Sequence, residues 1–182
     1  MLNIKDFGYD IVNVEVTNNC NMRCTFCALP IRQAPDKEME TKGVYQIFEE
    51  LAEYKGIDFV AFHQFGEPIL HPDIWKYVDR CKELGLKTQF VTNGLALTDK
   101  KIAKLIEHSP DILRISLHVL DPENHGEIRG IKTSFDKYVD RISSCIAALI
   151  DSDHQIEEVR ADVAVNDDRS KVKLEINIYT GS

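Results

Sequence analysis

The sequence predicts an α/β protein with a parallel sheet, because strand-like and helix-like patterns alternate along the chain. Short segments rich in apolar and β-branched residues predict strands at 11–17, 57–63, 86–92 and 112–118. Amphipathic segments with a helical period connect them, and their lengths suit right-handed βαβ crossovers. In such sheets, ligand sites gather beyond the carboxyl ends of the strands.

The helices are predicted from their apolar stripes and their start and stop signals. They are expected over 42–54, from Pro72 to about Gly85, over 99–108 and over 134–150. Thr41 and Ser134 are the candidate N-caps of the first and last of these helices. The last helix is the most regular, with Tyr138, Ile142, Cys145 and Leu149 in register on one face.

The tail of the chain offers two candidates for a fifth strand. Segments 159–165 and 172–179 both alternate with period two, and only the short polar stretch 166–171 separates them. They can form a hairpin, or only one of them can join the sheet; we expect 172–179 to be the fifth strand. The chain then stops at Ser182 with no following helix or sixth strand, so we expect one domain, 1–182, that is incomplete at its C-terminus.

Composition and charge argue against two classes of partner, nucleic acids and membranes. The chain has 182 residues, a hydrophobic fraction of 43% and a formal net charge of −8, with no run of Lys or Arg. Nucleic-acid binding needs a basic face, so we expect no nucleic-acid partner. No apolar segment is long enough to cross a bilayer, so we expect a cytoplasmic protein that does not engage a membrane.

Three of the five cysteines form a cluster directly after the first predicted strand. Cys20, Cys24 and Cys27 have the spacing C-x-x-x-C-x-x-C in a loop. Three thiolates on such a loop can hold three corners of a [4Fe–4S] cluster, and the missing fourth thiolate leaves one iron open to bind something else. Cys81 and Cys145 stand alone on apolar helix faces and are expected to be buried small hydrophobic residues.

A zinc site is the alternative interpretation of the same cysteines. Zinc sites usually show two paired C-x-x-C halves or nearby histidines, and the cysteine loop has neither. Histidines elsewhere in the chain could still complete a site in space: His63, His71 and His118. A zinc-stabilised binding module therefore stays open.

Four short motifs, each at the carboxyl end of a predicted strand, together resemble the radical SAM enzymes. They are the cysteine loop with Phe26 before its third cysteine, Gly66-Glu67-Pro68, Thr92-Asn93-Gly94, and Ser116-Leu117 followed by Ile128-Arg129-Gly130. Two positions depart from the family pattern. Phe65 replaces a glycine before Gly66, and His118 stands where aspartate is commoner.

The resemblance implies a fold and a set of cofactors. The fold would be a partial parallel (β/α) barrel with about five of the usual six strands. A [4Fe–4S] cluster would be held by Cys20, Cys24 and Cys27. Its open iron would bind S-adenosylmethionine (SAM), which is cleaved reductively to a 5′-deoxyadenosyl radical. The remaining candidate cofactor-binding residues are Phe26, Gln64, Gly66, Glu67, Asn93, Ser116 and Arg129.

The resemblance also assigns roles within that set. Gly66 and Glu67 would hold the methionine ammonium, with Gln64 as a further polar contact, and Phe26 would pack near the adenine. Ser116 would face the methionine carboxylate or the ribose, while Asn93 and Arg129 would lie near the cofactor or the substrate.

The implied activity is hydrogen abstraction from a small-molecule or peptide substrate. The implied partner is an electron donor such as flavodoxin or ferredoxin. An activating enzyme for glycyl-radical enzymes is the alternative within the same family. No residue is singled out as catalytic in the sense of touching the substrate.

Overall fold

The computed structural model describes residues 10–31, 35–54, 56–117, 122–152 and 158–162. Within them the chain forms a five-stranded parallel sheet whose strands lie side by side in chain order. Each neighbouring pair is joined by a helical crossover, so the predicted α/β class is confirmed.

The first four strands lie inside the predicted segments and are shorter. The strands are β1 (Ile11–Asn13), β2 (Phe59–Phe62), β3 (Lys87–Thr92), β4 (Ile112–Ser116) and β5 (Glu158–Asp162). The inner strands β2 and β3 are almost wholly buried, as expected for a parallel sheet that is covered on both faces.

The prediction that 172–179 is the fifth strand was wrong. β5 comes from the other candidate segment and pairs in parallel with β4, from Ile112 opposite Glu158 to Ser116 opposite Asp162. The preceding helix ends at Asp151, so a short connection leads directly back to the sheet. Segment 172–179 and His118 lie outside the described residues.

Four helices follow the predictions closely and one short helix was not predicted. The helices are α1 (Thr41–Glu53), α2 (Ile74–Glu83), α3 (Asp99–His108), α4 (His125–Arg129) and α5 (Phe135–Asp151). Short helical turns also occur at Leu29–Ile31 and Pro68–Leu70. The unpredicted helix α4 carries the Ile-Arg-Gly motif at its end.

Of the two predicted N-caps, Ser134 occupies the cap position and Thr41 does not, and neither side chain makes a cap bond. Thr41 is the first residue of α1, after Glu40, and its hydroxyl instead hydrogen-bonds Asp73 and Tyr77. Ser134 occupies the cap position of α5 without a side-chain cap bond. A tertiary partner has taken the Thr41 hydroxyl, which local sequence rules do not foresee.

The core lies between the sheet and the helices. Cys81 on α2 and Cys145 on α5 are fully buried in it, as predicted. Tyr138 on α5 is also fully buried. No helix in the described part of the chain is long and apolar enough to cross a membrane.

Candidate active site

A cleft of about 140 Å³ opens beyond the carboxyl ends of the strands. It is formed by the cysteine loop and by the segments that follow β2, β3 and β4. All ten predicted site residues line it: Cys20, Cys24, Phe26, Cys27, Gln64, Gly66, Glu67, Asn93, Ser116 and Arg129. The structure therefore brings together motifs that are spread over more than half of the chain.

The cysteine loop is held by the segment around the Ile-Arg-Gly motif. The backbone N–H of Arg23 donates to the carbonyl of Arg129 (3.1 Å), and that of Thr25 donates to the carbonyl of Ile128 (2.9 Å). Gly130 has a φ of 62°, and a Cβ there would lie 2.6 Å from the Arg23 carbonyl oxygen. The glycine of this motif thus permits both the left-handed backbone and the close approach of the loop.

The Gly-Glu motif is pressed against the chain just before the first cysteine. A Cβ on Gly66 would lie 1.8 Å from the Thr17 carbonyl oxygen, so only glycine fits. The next backbone N–H, of Glu67, donates to the Asn19 carbonyl (2.8 Å). Phe65 has no positive φ, so replacing the family's usual glycine there causes no backbone strain.

Glu67 is a buried carboxylate with three donors around it. It receives hydrogen bonds from the Thr92 hydroxyl (2.7 Å) and from the backbone N–H groups of Asn93 (2.7 Å) and Ile69 (3.3 Å). Burial nevertheless outweighs these bonds and raises the pKa of Glu67 to about 7. Its bond to Ile69 caps the turn at Pro68–Leu70, so the carboxylate also organises the local backbone. Its predicted contact with the methionine ammonium stays a prediction.

Arg129 supplies a buried positive charge at the side of the cleft. Its side chain is 1% exposed, and its Nη2 donates to the Ser116 carbonyl oxygen at 3.0 Å. The same guanidinium lowers the pKa of the Cys24 thiol by its charge, although burial raises that pKa more. A cation in this place favours an anionic group in the cleft.

Phe26 and Gln64 form the outer part of the cleft. Phe26 is 58% exposed although it is aromatic, and Gln64 is exposed directly after β2. An exposed aromatic ring beside the thiols is a suitable surface for a flat base to pack against. Their predicted roles toward the cofactor stay predictions.

The three thiols have the chemistry and exposure that an iron–sulfur cluster requires. Cys20, Cys24 and Cys27 are partly exposed in the same cleft. Burial raises the pKa of Cys20 and Cys24, and each thiol must lose its proton to ligate iron. The Cys27 sulfur also accepts the backbone N–H of Leu29 (3.4 Å), a bond that supports a thiolate.

The thiols are not arranged around a single ion. Among the described residues, no three His, Cys, Asp or Glu side chains are grouped so that they could hold one metal ion. A cubane cluster instead takes each thiolate at a different iron, and the loop supplies three free thiols to the cleft. His63 lines the cleft, whereas His71 is buried against Tyr77 and is not part of the cleft lining.

Comparison with known proteins identifies the family. The fold and cleft define an α/β protein with a loop of three cysteines at its strand ends, and a family profile described as the radical SAM superfamily matches residues 14–155. The chain belongs to the radical SAM superfamily. Enzymes of this superfamily use SAM and an iron–sulfur cluster. The membership argues against the alternative of a zinc-stabilised binding module.

Relatives support the same assignment, and solved structures support the fold. The chain is 29% identical over 122 residues to the PqqA peptide cyclase of Methylorubrum populi, covering 66% of this chain and 31% of that protein. The structure of BtrN with AdoMet and 2-DOIA gives a TM-score of 0.61 at 21% identity, over 86% of this chain and 56% of that one. SuiB of Streptococcus suis, bound to the precursor peptide SuiA, gives 0.65 at 20% identity, over 88% and 34%. The chain spans about a third of the length of the curated relatives it matches.

The sequence did not reveal the contacts of two residues that support the cleft. Thr92 lies in the Thr-Asn-Gly motif, but only the structure shows its hydroxyl bonded to Glu67. Tyr138 was predicted as core, yet its hydroxyl donates to the Asn93 carbonyl (2.6 Å). A polar atom on an otherwise apolar helix face was the available signal for Tyr138, because a buried hydroxyl needs a partner.

Proposed function

We propose that this chain binds a [4Fe–4S] cluster through Cys20, Cys24 and Cys27 and binds SAM at the remaining iron. When bound, the reduced cluster supplies the electron that cleaves SAM to methionine and a 5′-deoxyadenosyl radical, which abstracts hydrogen from a substrate. The observation that carries the proposal is the placement of three partly exposed thiols in the cleft that also contains the strand-end motifs.

The chain's own residues would orient the cofactor and neutralise its charges. Arg129 offers a buried cation to an anionic group such as the methionine carboxylate, and Ser116 lies beside it. Glu67 offers a negative charge to the methionine ammonium whenever its carboxyl is ionised. The cysteine loop and the segments that follow the strands line the cleft and bring these groups together.

We further propose a small-molecule or peptide substrate, with a peptide favoured. One relative is named a peptide cyclase, and one similar structure contains a precursor peptide. The electron would come from a protein such as ferredoxin or flavodoxin. No residue of the described chain is assigned to the substrate.

The test begins with the cluster. Anaerobically purified protein should contain roughly four irons and four sulfides per chain. Replacing Cys20, Cys24 or Cys27 by alanine should abolish them, whereas Cys81→Ala, which removes a buried helix cysteine, should retain them. Brown colour and charge-transfer absorption that survive in Cys24→Ala would refute the ligand assignment, and one zinc without sulfide would refute the cluster.

The second part of the test concerns SAM. The reduced protein should release 5′-deoxyadenosine and methionine slowly even without substrate, as measured by chromatography. Glu67→Ala and Ser116→Ala should weaken SAM binding without removing iron. If both variants bind SAM as the unaltered protein does, the roles given to these two residues are wrong.

A further inference from the structure

Asn93, directly after β3, is fixed in one orientation by its neighbours. Its backbone N–H donates to Glu67 Oε2 (2.7 Å), and its backbone carbonyl accepts the Tyr138 hydroxyl (2.6 Å). Its side-chain Oδ1 accepts the backbone N–H of Leu95 (2.9 Å). Exchanging the amide oxygen and nitrogen would place two donors face to face at Leu95, so the amide can point only one way.

This orientation aims the amide nitrogen at the first cysteine. Asn93 Nδ2 donates to the Oδ1 of Asn21 (2.8 Å) and lies 3.6 Å from the Sγ of Cys20. Sulfur is a larger and weaker acceptor than oxygen, so N–H···S bonds are longer than N–H···O bonds. Both amide hydrogens are therefore directed at groups of the cysteine loop.

We propose that Asn93 raises the reduction potential of the cluster by donating an N–H···S hydrogen bond to Cys20. The inference rests on the proposed function and adds a role for a residue predicted only to lie near the cofactor or the substrate. Reduction adds one electron, from the donor protein, and increases the negative charge shared by the cluster and its thiolates. A donor held at the sulfur stabilises that charge, and its proton stays on the amide.

Asn93 is a positioning residue whose supports come from different parts of the chain. Glu67 follows β2 and Tyr138 lies on α5. Both bond to the backbone of Asn93 rather than to its side-chain amide. The donor is thus held in place by the protein's own hydrogen bonds, and little reorganisation is needed when the charge of the cluster changes.

The experiment is a redox titration monitored by electron paramagnetic resonance on the anaerobically reconstituted protein. Asn93→Ala removes the donor without adding charge. Asn93→Asp also removes it but keeps the oxygen that accepts the Leu95 N–H. Asn18→Ala is the matched control, because Asn18 bonds the Pro35 carbonyl and the Lys37 N–H and no thiol. Both Asn93 variants should show a more negative midpoint potential with unchanged iron and sulfide, and the control should show no shift.

Several results would overturn the inference. An unchanged midpoint in Asn93→Ala with an intact cluster would do so and would leave the proposed function standing. A shift in Asn93→Asp alone would assign the effect to the added charge, and weaker SAM binding without a shift would make Asn93 a SAM contact. If the Asn93→Ala variant does not fold, an unchanged midpoint potential in Asn93→Asp is sufficient to overturn the inference. Unaltered protein that takes up no iron and sulfide would overturn the inference and the proposed function together.

Discussion

Polar side chains at the strand ends and on the outer helix surface differ in the partners to which they bond and in their burial. On the helices, several exposed ion pairs join residues three positions apart, as in Lys76 with Asp73 (2.6 Å) and Lys104 with Glu107 (2.6 Å), although Arg80 also pairs with Glu49 of another helix. At the strand ends, buried polar groups bond across segments that are distant in sequence. Examples are Thr92 to Glu67, Tyr138 to Asn93 and Arg129 to Ser116.

The difference shows where the molecule depends on polar interactions. An exposed ion pair exchanges its bonds with water and contributes little to stability. A buried donor or acceptor that loses its partner carries the full cost of desolvation. Removing single groups should therefore have large effects at the strand ends and small ones on the helices.

The largest contrast is expected between two glycines. In Gly66→Ala the new Cβ would meet the backbone carbonyl of Thr17 at 1.8 Å, which only a backbone shift can relieve. We expect a loss of more than about 3 kcal/mol in the free energy of unfolding, together with loss of cluster binding. Gly43→Ala in α1 meets no atom within 4 Å and should stabilise the protein by about 0.5–1 kcal/mol.

Urea denaturation of both glycine variants, with iron analysis, measures these effects. Equal stabilities for Gly66→Ala and Gly43→Ala would show that the contact with Thr17 does not exclude a side chain.

The second expected effect is a pH dependence of the free energy of unfolding that originates at Glu67. Its pKa is raised from 4.5 to about 7 in the folded chain, so between these values the folded state keeps a proton that the unfolded state releases. The free energy of unfolding should therefore fall as pH rises through this window, by about 3 kcal/mol from this group, and level off above pH 7.

The carboxyl carbon of Glu67 reports this titration directly in the cofactor-free chain. A ¹³C NMR titration should show its midpoint near pH 7, with the neutral acid below and the anion above. A carboxyl resonance that does not move between pH 5.5 and 8.5 would contradict the prediction.

A smaller effect is expected from Tyr138→Phe. The change leaves the ring in the core but deprives the Asn93 carbonyl of its donor, and should cost about 1–2 kcal/mol in the free energy of unfolding. Tyr54→Phe is the matched control, since Tyr54 is 53% exposed and its hydroxyl can be replaced by water. Denaturation curves that coincide for the two variants would show that the buried hydroxyl is dispensable.

The smallest effect is expected on the helix surface. Lys104→Ala removes the partner of Glu107 in an exposed pair on α3. Its denaturation midpoint should differ from that of the unaltered protein by no more than the experimental error. A clear loss of stability would mean that surface pairs matter as much as the bonds at the strand ends.

Much of the fold could be predicted because local hydrophobic periodicity indicates the helices and strands. The pattern of α3 gave its bounds correctly as Asp99–His108, and the strand segments were correct to within a few residues. The prediction of the fifth strand was wrong because segments 159–165 and 172–179 have the same alternation of apolar and polar residues. Periodicity cannot choose between such segments, whereas a short return from α5 can.

The members of the candidate site could be predicted, but their interactions could not. Short motifs at strand ends identified the residues, since the carboxyl ends of parallel strands meet at one edge. The bonds of Tyr138 to Asn93 and of Arg23 to Arg129 join segments far apart in sequence. No local pattern encodes such pairs, and they became visible only in three dimensions.

The bonds between the cysteine loop and the Ile-Arg-Gly segment set an order of assembly during synthesis. The thiols leave the ribosome first, and the carbonyls of Ile128 and Arg129 that hold their loop follow roughly a hundred residues later. At ordinary translation rates, that interval lasts on the order of ten seconds. During it, Cys20, Cys24 and Cys27 belong to a loop without its final support, open to oxidants and to stray metal ions. Loading of the proposed iron–sulfur cluster is therefore expected to follow translation of α4 rather than accompany emergence of the cysteines.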